Sequence, residues 1–268
     1  MRRSRVGSIL VARACALLLV AACADDPTLR PESAASGSPT DGSAPVATPE
    51  TPACKNETDV LARGDARVDE GLRGDVDGDG TDDEVSIYMD PTGPMGCQAF
   101  LVVDAAAGRG AVEVWTQGRE AGLPQPRLHG MAPVNDLSGS EVLVDEAAGA
   151  STQFLAVFAW VDGDLSRIEP PEEAAPDLWA GRVDGLFAYG GSVGHLEAAD
   201  CVARARIVVS VALPQGNGYE VTRGTYTVAG ARLQDERVQR ERIGMNELDE
   251  LARRFPEYGG APFSSCTT

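Results

Sequence analysis

The chain of 268 residues holds one lysine, Lys55, and two histidines, His129 and His195. Aromatic side chains make up 5% of it, and none of its six cysteines stands in a C-x-x-C pair. Each shortage removes a class of chemistry. A zinc centre assembled from imidazoles and paired thiolates lacks ligands here. With 23 basic residues against 41 acidic ones the formal net charge is −18, which repels nucleic acid and anionic headgroups and attracts cations. The apolar stretch 9–22 is interrupted by Arg13 and Cys15. It falls short of the about 20 apolar residues that a membrane-spanning helix needs.

What the N-terminus does contain is a basic cluster, Arg2, Arg3 and Arg5, ahead of that stretch, with Ala21 and Ala22 behind it. This arrangement is that of a signal peptide, residues 1–22. The run Leu19-Val20-Ala21-Ala22-Cys23 resembles the bacterial lipobox. The resemblance implies a diacylated Cys23 as the first mature residue and a membrane anchor outside the cytoplasm. Several acyl chains hold a protein at a bilayer where a single one does not. An ordinary secretory signal cut after Ala22 is the alternative, and Arg13 within the apolar segment departs from the usual pattern. Residues 23–53 are mostly Ala, Pro, Ser, Thr, Gly and Asp, too poor in large apolar groups to offset the entropy of ordering, and read as a disordered tether. Loss of residues 1–22 removes four arginines and no acid. That leaves 19 basic residues against 41 acidic ones, a mature net charge of about −22.

The folded domain is then 54–268. Cys54, Cys97, Cys201 and Cys266 remain in it, and an even number in an exported chain favours two disulfides, with three connectivities open. Alternation of apolar and polar residues marks strands at 85–89, 100–103, 112–115 and 141–144. A longer run at 154–161 leads into Asp162-Gly163, a hairpin signal, and returns through 165–168. Strands at 207–212 and 219–222 flank Gly216-Asn217-Gly218, and 225–228 follows. One helix is expected, at the C-terminal end. Asn246 is its N-cap candidate, acids fill its first turn, Arg253 and Arg254 its last, and Pro256 stops it. The expected fold is mainly β, with antiparallel strands in blade-like or sandwich packing and a short C-terminal helix.

The chemically loudest segment is Gly74-Asp75-Val76-Asp77-Gly78-Asp79-Gly80-Thr81-Asp82-Asp83-Glu84-Val85. Carboxylates at relative positions 1, 3, 5 and 9 repel one another unless a cation compensates them. An EF-hand is excluded, because its bidentate glutamate at loop position 12 is replaced by Ser86 and the residues that follow alternate like a strand. The loop instead resembles the FG-GAP or VCBS-type repeat, in which D-x-D-G-D-G-x-x-D precedes a β-strand. That resemblance implies bound calcium, with carboxylates from Asp75, Asp77, Asp79 and Asp83 and a backbone carbonyl from Thr81. A solvated acidic turn without metal is the alternative. A weak second copy appears when 84–87 is laid over 141–144, which aligns Asp79 with Asp136 and Asp83 with Ser140. The region 200–233 is a more degenerate candidate for a third.

Catalytic signals are thinner. Gly190-Gly191-Ser192-Val193-Gly194 matches the nucleophile-elbow pattern, yet the one histidine beyond it, His195, lies too close in sequence for an intervening acid. The order His129 then Asp145 then Ser192 lacks the local signatures of its class. Trp115, Trp160, Trp179 and Tyr189 are candidates for a sugar-binding face. The sequence therefore points to a lipid-anchored, extracytoplasmic calcium-binding protein with a binding or structural role at the cell envelope. Its partner would be an envelope protein or glycan, with no nucleic acid. A secreted hydrolase using Ser192 or a pair of acids is the alternative.

Overall fold

Alternation of side chains across a pleat places every second residue of a strand on one face, and here both faces are covered, so several strands are buried along continuous runs such as 99–103 and 141–147. In the computed structural model the described residues are 55–63, 65–68, 71–90, 99–115, 125–171, 176–179, 185–192, 194–244 and 248–267. The signal peptide, the tether, Cys23, Cys54 and Cys97 lie outside them, as does the N-cap candidate Asn246. All described residues belong to one unit, Glu50–Thr268.

The first sheet is a four-stranded antiparallel meander. Its strands are β1 (Leu72–Gly74), β2 (Asp83–Met89), β3 (Ala99–Ala105) and β4 (Gly108–Trp115), in that order. The second sheet has nine strands. They are β5 (Arg127–Ala132), β6 (Glu141–Ala148), β7 (Thr152–Val161), β8 (Asp164–Arg167), β9 (Phe187–Ser192), β10 (His195–Ala203), β11 (Arg206–Gln215), β12 (Gly218–Ala229) and β13 (Arg232–Gly244). Their spatial order is β13-β12-β11-β10-β9-β7-β6-β5. One edge of β7 is divided: Thr152 to Leu155 pair with β9, and Phe158 to Val161 pair with β8. The β7–β8 turn uses Asp162 at φ +54° and Gly163 at φ +89°, the two positive angles that the Asp-Gly pair announces. Short helices α1 (Glu57–Leu61), α2 (Pro176–Trp179) and α3 (Leu248–Arg254) and a 3₁₀ turn at Pro256–Tyr258 complete the fold.

The first sheet packs on the β6–β7 end of the second. Val85, Ile87, Leu101 and Val103 meet Val142, Val144, Ala156 and Phe158 in a shared core. The opposite face of the second sheet is buried too. There Leu143, Leu155, Val157, Ile207, Val209 and Tyr226 gather around Phe187 and Phe263. Helix α3 covers a third cluster, with Leu251 and Phe255 against Ala212, Tyr219, Val221 and Ile243. Fully burying such a side chain contributes about 1.5–3 kcal/mol, so three continuous clusters hold the sheets firmly. The molecule is mainly β and antiparallel, with short helical elements. The 200–233 region forms part of the long β10–β13 meander and carries no acidic loop.

Candidate metal centre

The acidic loop joins β1 to β2, and the Gly74–Asp83 pair of the ladder closes its base. Its backbone turns through Gly78 at φ +80° and Gly80 at φ +87°, which a side chain would strain. Four of the five aspartates at 75–83 fold back on main-chain N–H groups. Asp75 accepts from Gly78 at 2.8 Å and from Gly80 at 3.1 Å. Asp77 accepts from Asp79 at 3.0 Å, and Asp79 from Thr81 at 2.7 Å. Asp83, 2% exposed, accepts from Val76 at 2.8 Å and Asp77 at 3.1 Å.

This folding brings one oxygen each from Asp75, Asp77 and Asp83 to within 4.8 Å of one another. Two oxygens bound to one calcium at 2.3–2.6 Å stand no more than about 5 Å apart, so the trio fits a shared ion of that size. An all-oxygen, all-carboxylate donor set suits a hard divalent cation rather than zinc or copper. Of the five residues expected as ligands, Asp79 and Thr81 sit on the exposed rim and outside this trio. Among the described residues, no second set of three acidic, histidine or cysteine groups converges in this way.

A second loop, 133–141, has a matching hydrogen-bond pattern, one residue away from the alignment of Glu84 with Glu141. Strand β6 starts at Glu141 as β2 starts at Asp83, and Glu141 pairs with Ala132 as Asp83 pairs with Gly74. Glu141 accepts from Val134 and, at 3.2 Å, from Asn135, which repeats the grip of Asp83 on Val76 and Asp77. Asn135 accepts from Leu137 at 2.7 Å, as Asp77 does from Asp79. In this second loop Pro133, Asn135 and Leu137 stand at the places of Asp75, Asp77 and Asp79. The hydrogen-bond pattern is shared although those three carboxylates are not. Burial pushes the Glu141 carboxyl up to about 7, with the two backbone N–H groups opposing and Asp136 adding to the rise.

The residues of the hydrolase alternative lie in other arrangements. Ser192 is exposed at the end of β9 and accepts from Gly194 at 3.2 Å. His195 faces Thr152, Nε2 to Oγ1 at 2.7 Å. His129 Nδ1 lies 3.2 Å from Asp145, which also accepts from the Tyr189 hydroxyl at 2.8 Å and from Arg127 at 3.0 Å. Neither imidazole is hydrogen-bonded to Ser192. Although burial alone would raise it, these partners hold the Asp145 carboxyl below the usual range. Burial, and then the hydrogen bond to Asp145, push the Tyr189 phenol up. The network ties β5, β6 and β9 together; sequence singled out His129 and Asp145 as a possible pair and Tyr189 for a sugar-binding face, but not Arg127. Trp179 donates to Tyr226 at 3.0 Å and packs on the core side of the sheet, while Trp160 packs over Gly110. A cleft of about 410 Å³ beside β9 and β10 is lined by Tyr189, Leu196, Glu197, Leu251, Glu257 and Tyr258. Its buried Glu257 is taken up by Ser210 at 2.7 Å and Arg223 at 2.6 Å.

No protein-family model matches this chain, and no curated protein or solved structure matches it either.

Proposed function

We propose that the mature chain is a lipid-anchored extracytoplasmic protein whose β domain binds one calcium ion in the loop 75–83, and that it serves a binding or structural role at the cell envelope. The observation that carries this reading is the convergence of Asp75, Asp77 and Asp83 within 4.8 Å. Asp79 and Thr81 stand on the same loop and would complete the shell as the VCBS-type resemblance implies. The loop lies between two strands and its carboxylates are not among the hydrogen-bond partners of His129 or His195, which favours a staple over a reaction centre. Neutralising its carboxylates removes repulsion at the base of β2.

Thermal melting tests the ion. A ligand that binds only the folded state at 100 times its Kd adds about 2.7 kcal/mol, which moves the melting temperature of a domain this size by several degrees. Calcium should raise the midpoint of the wild type over its value in chelator and leave Asp77→Ala unmoved. Equal midpoints in the wild type with and without calcium would contradict the reading. The anchor is tested separately by mass analysis of the native N-terminus. A diacylated Cys23 is expected, and an unmodified residue after a cut at Ala22 would remove the anchor from the proposal.

A further inference from the structure

Two loops from different sheets touch through their backbones. Ser140 donates its N–H to the carbonyl of Asp75 across 2.8 Å. A Cβ on Gly78 would collide with the side chain of Ser138 and come within 2.7 Å of its carbonyl carbon. Gly139 meets the first loop just as closely, since a Cβ there would sit 2.5 Å from the Val76 oxygen and 3.0 Å from the Gly78 nitrogen. Both glycines hold positive φ, +80° and +95°, so their conformations and their contact are set together. Matching grips shape each loop from within, Asp83 in the first and Glu141 in the second. The second loop is also fastened to the β12–β13 turn. Asn135 donates to the Gly230 carbonyl at 3.2 Å, and Gly230 donates to Asp136 at 3.1 Å.

We propose that the loops 75–83 and 133–141 form one coupled clasp between the two sheets, so that a change of conformation in the acidic loop passes to its acid-poor copy and on to the β12–β13 turn. Close packing is the physical warrant. Neither Gly78 nor Gly139 has room even for a Cβ against the facing loop, so a shift of either loop toward the other meets its neighbour, and such packed contacts rearrange together. The coupling itself needs no metal. That a cation drives it rests on the calcium reading above.

Amide hydrogen exchange in chelator, on the wild type and Asp75→Asn, tests the clasp. This substitution alters the first loop and changes no atom of 133–141. The Ser140 amide should exchange on the order of tenfold faster, together with those of Gly78 and Gly80, while the β11–β12 ladder keeps its rates. An unchanged Ser140 beside faster Gly78 and Gly80 overturns the proposal. Should Asp75→Asn open the whole domain, seen as faster exchange in β11–β12, Ser138→Gly decides from the other side. It removes the side chain facing Gly78, and an unaltered Gly78 amide then overturns the clasp. Adding calcium to the wild type separates the two ideas. No slowing anywhere counts against calcium binding alone, whereas slowing in 75–83 with Ser140 unmoved counts against the coupling.

Discussion

Asp83 and Glu141 perform one backbone task with different reach. Each accepts two successive N–H groups, from Val76 and Asp77 or from Val134 and Asn135, and so shapes the loop in front of its strand. The equivalence was hidden in the sequence because Glu84 and Glu141 are identical residues. Aligning them shifts the copy by one position. The ladder decides otherwise, since Gly74–Asp83 and Ala132–Glu141 are the corresponding pairs. The convergence of Asp75, Asp77 and Asp83 was legible from spacing, because alternate carboxylates separated by glycines can turn inward around one point. The rim positions of Asp79 and Thr81 were not, because side-chain direction within a turn depends on hydrogen bonds that spacing does not specify. A pH dependence follows from Glu141. Its carboxyl titrates at about 7 in the folded chain against 4.5 for the free group. Between those values the folded state keeps a proton that the unfolded state has released, so stability falls as pH rises through that window. The full cost is reached above it, on the order of 3 kcal/mol. Glu141→Gln carries no such proton. Urea unfolding in chelator should show a flatter decline from pH 5 to 8 for the variant, and parallel profiles would show that Glu141 does not titrate in this range.

At the scale of elements, the strands with regular alternation were readable and the irregular ones were not. β12 announces itself by alternation, Tyr219 and Val221 then Tyr226 and Val228, and β11 by a nearly continuous apolar run before the Gly-Asn turn. β13 does not, because its sequence, RLQDERVQRERIG, is charged along most of its length and lies at a sheet edge, where charge guards against pairing with other chains. β5 is broken by a bulge at His129, which interrupts the period. Helix α3 was legible from its charge placement, acids early and Arg253 and Arg254 late. The path of the chain after it was not. Residues 263–266 run beside β10, where Phe263 donates to Ala199 at 3.1 Å and Ser265 to Asp200 at 2.9 Å. Cys266 is bonded to Cys201 there, one of the pairings that counting cysteines left open. That bridge closes a loop of 65 residues, for which chain entropy gives about 4 kcal/mol as an upper figure. The double variant Cys201→Ser/Cys266→Ser should lose a large part of that in denaturant unfolding under oxidising conditions. Unchanged stability would mean that Phe263 and the backbone bonds hold the segment unaided.

For the whole molecule, charge and architecture point the same way. A chain of formal charge −18 attracts cations, and the acidic loop of the first sheet touches the second through Ser140 and Asp75. The class of fold was readable because period-two patterning dominates the domain. The division into sheets of four and nine strands was not, because sheet order depends on contacts far apart in sequence, such as the shared edge of β7. One convergence of three carboxylates, and no second among the described residues, makes a single metal site the central expectation. Calorimetric titration of the chelator-stripped mature domain with calcium tests it most directly. One calcium per chain is expected, and no binding by Asp77→Ala at concentrations that saturate the wild type. A stoichiometry of zero, or equal binding by that variant, would contradict it.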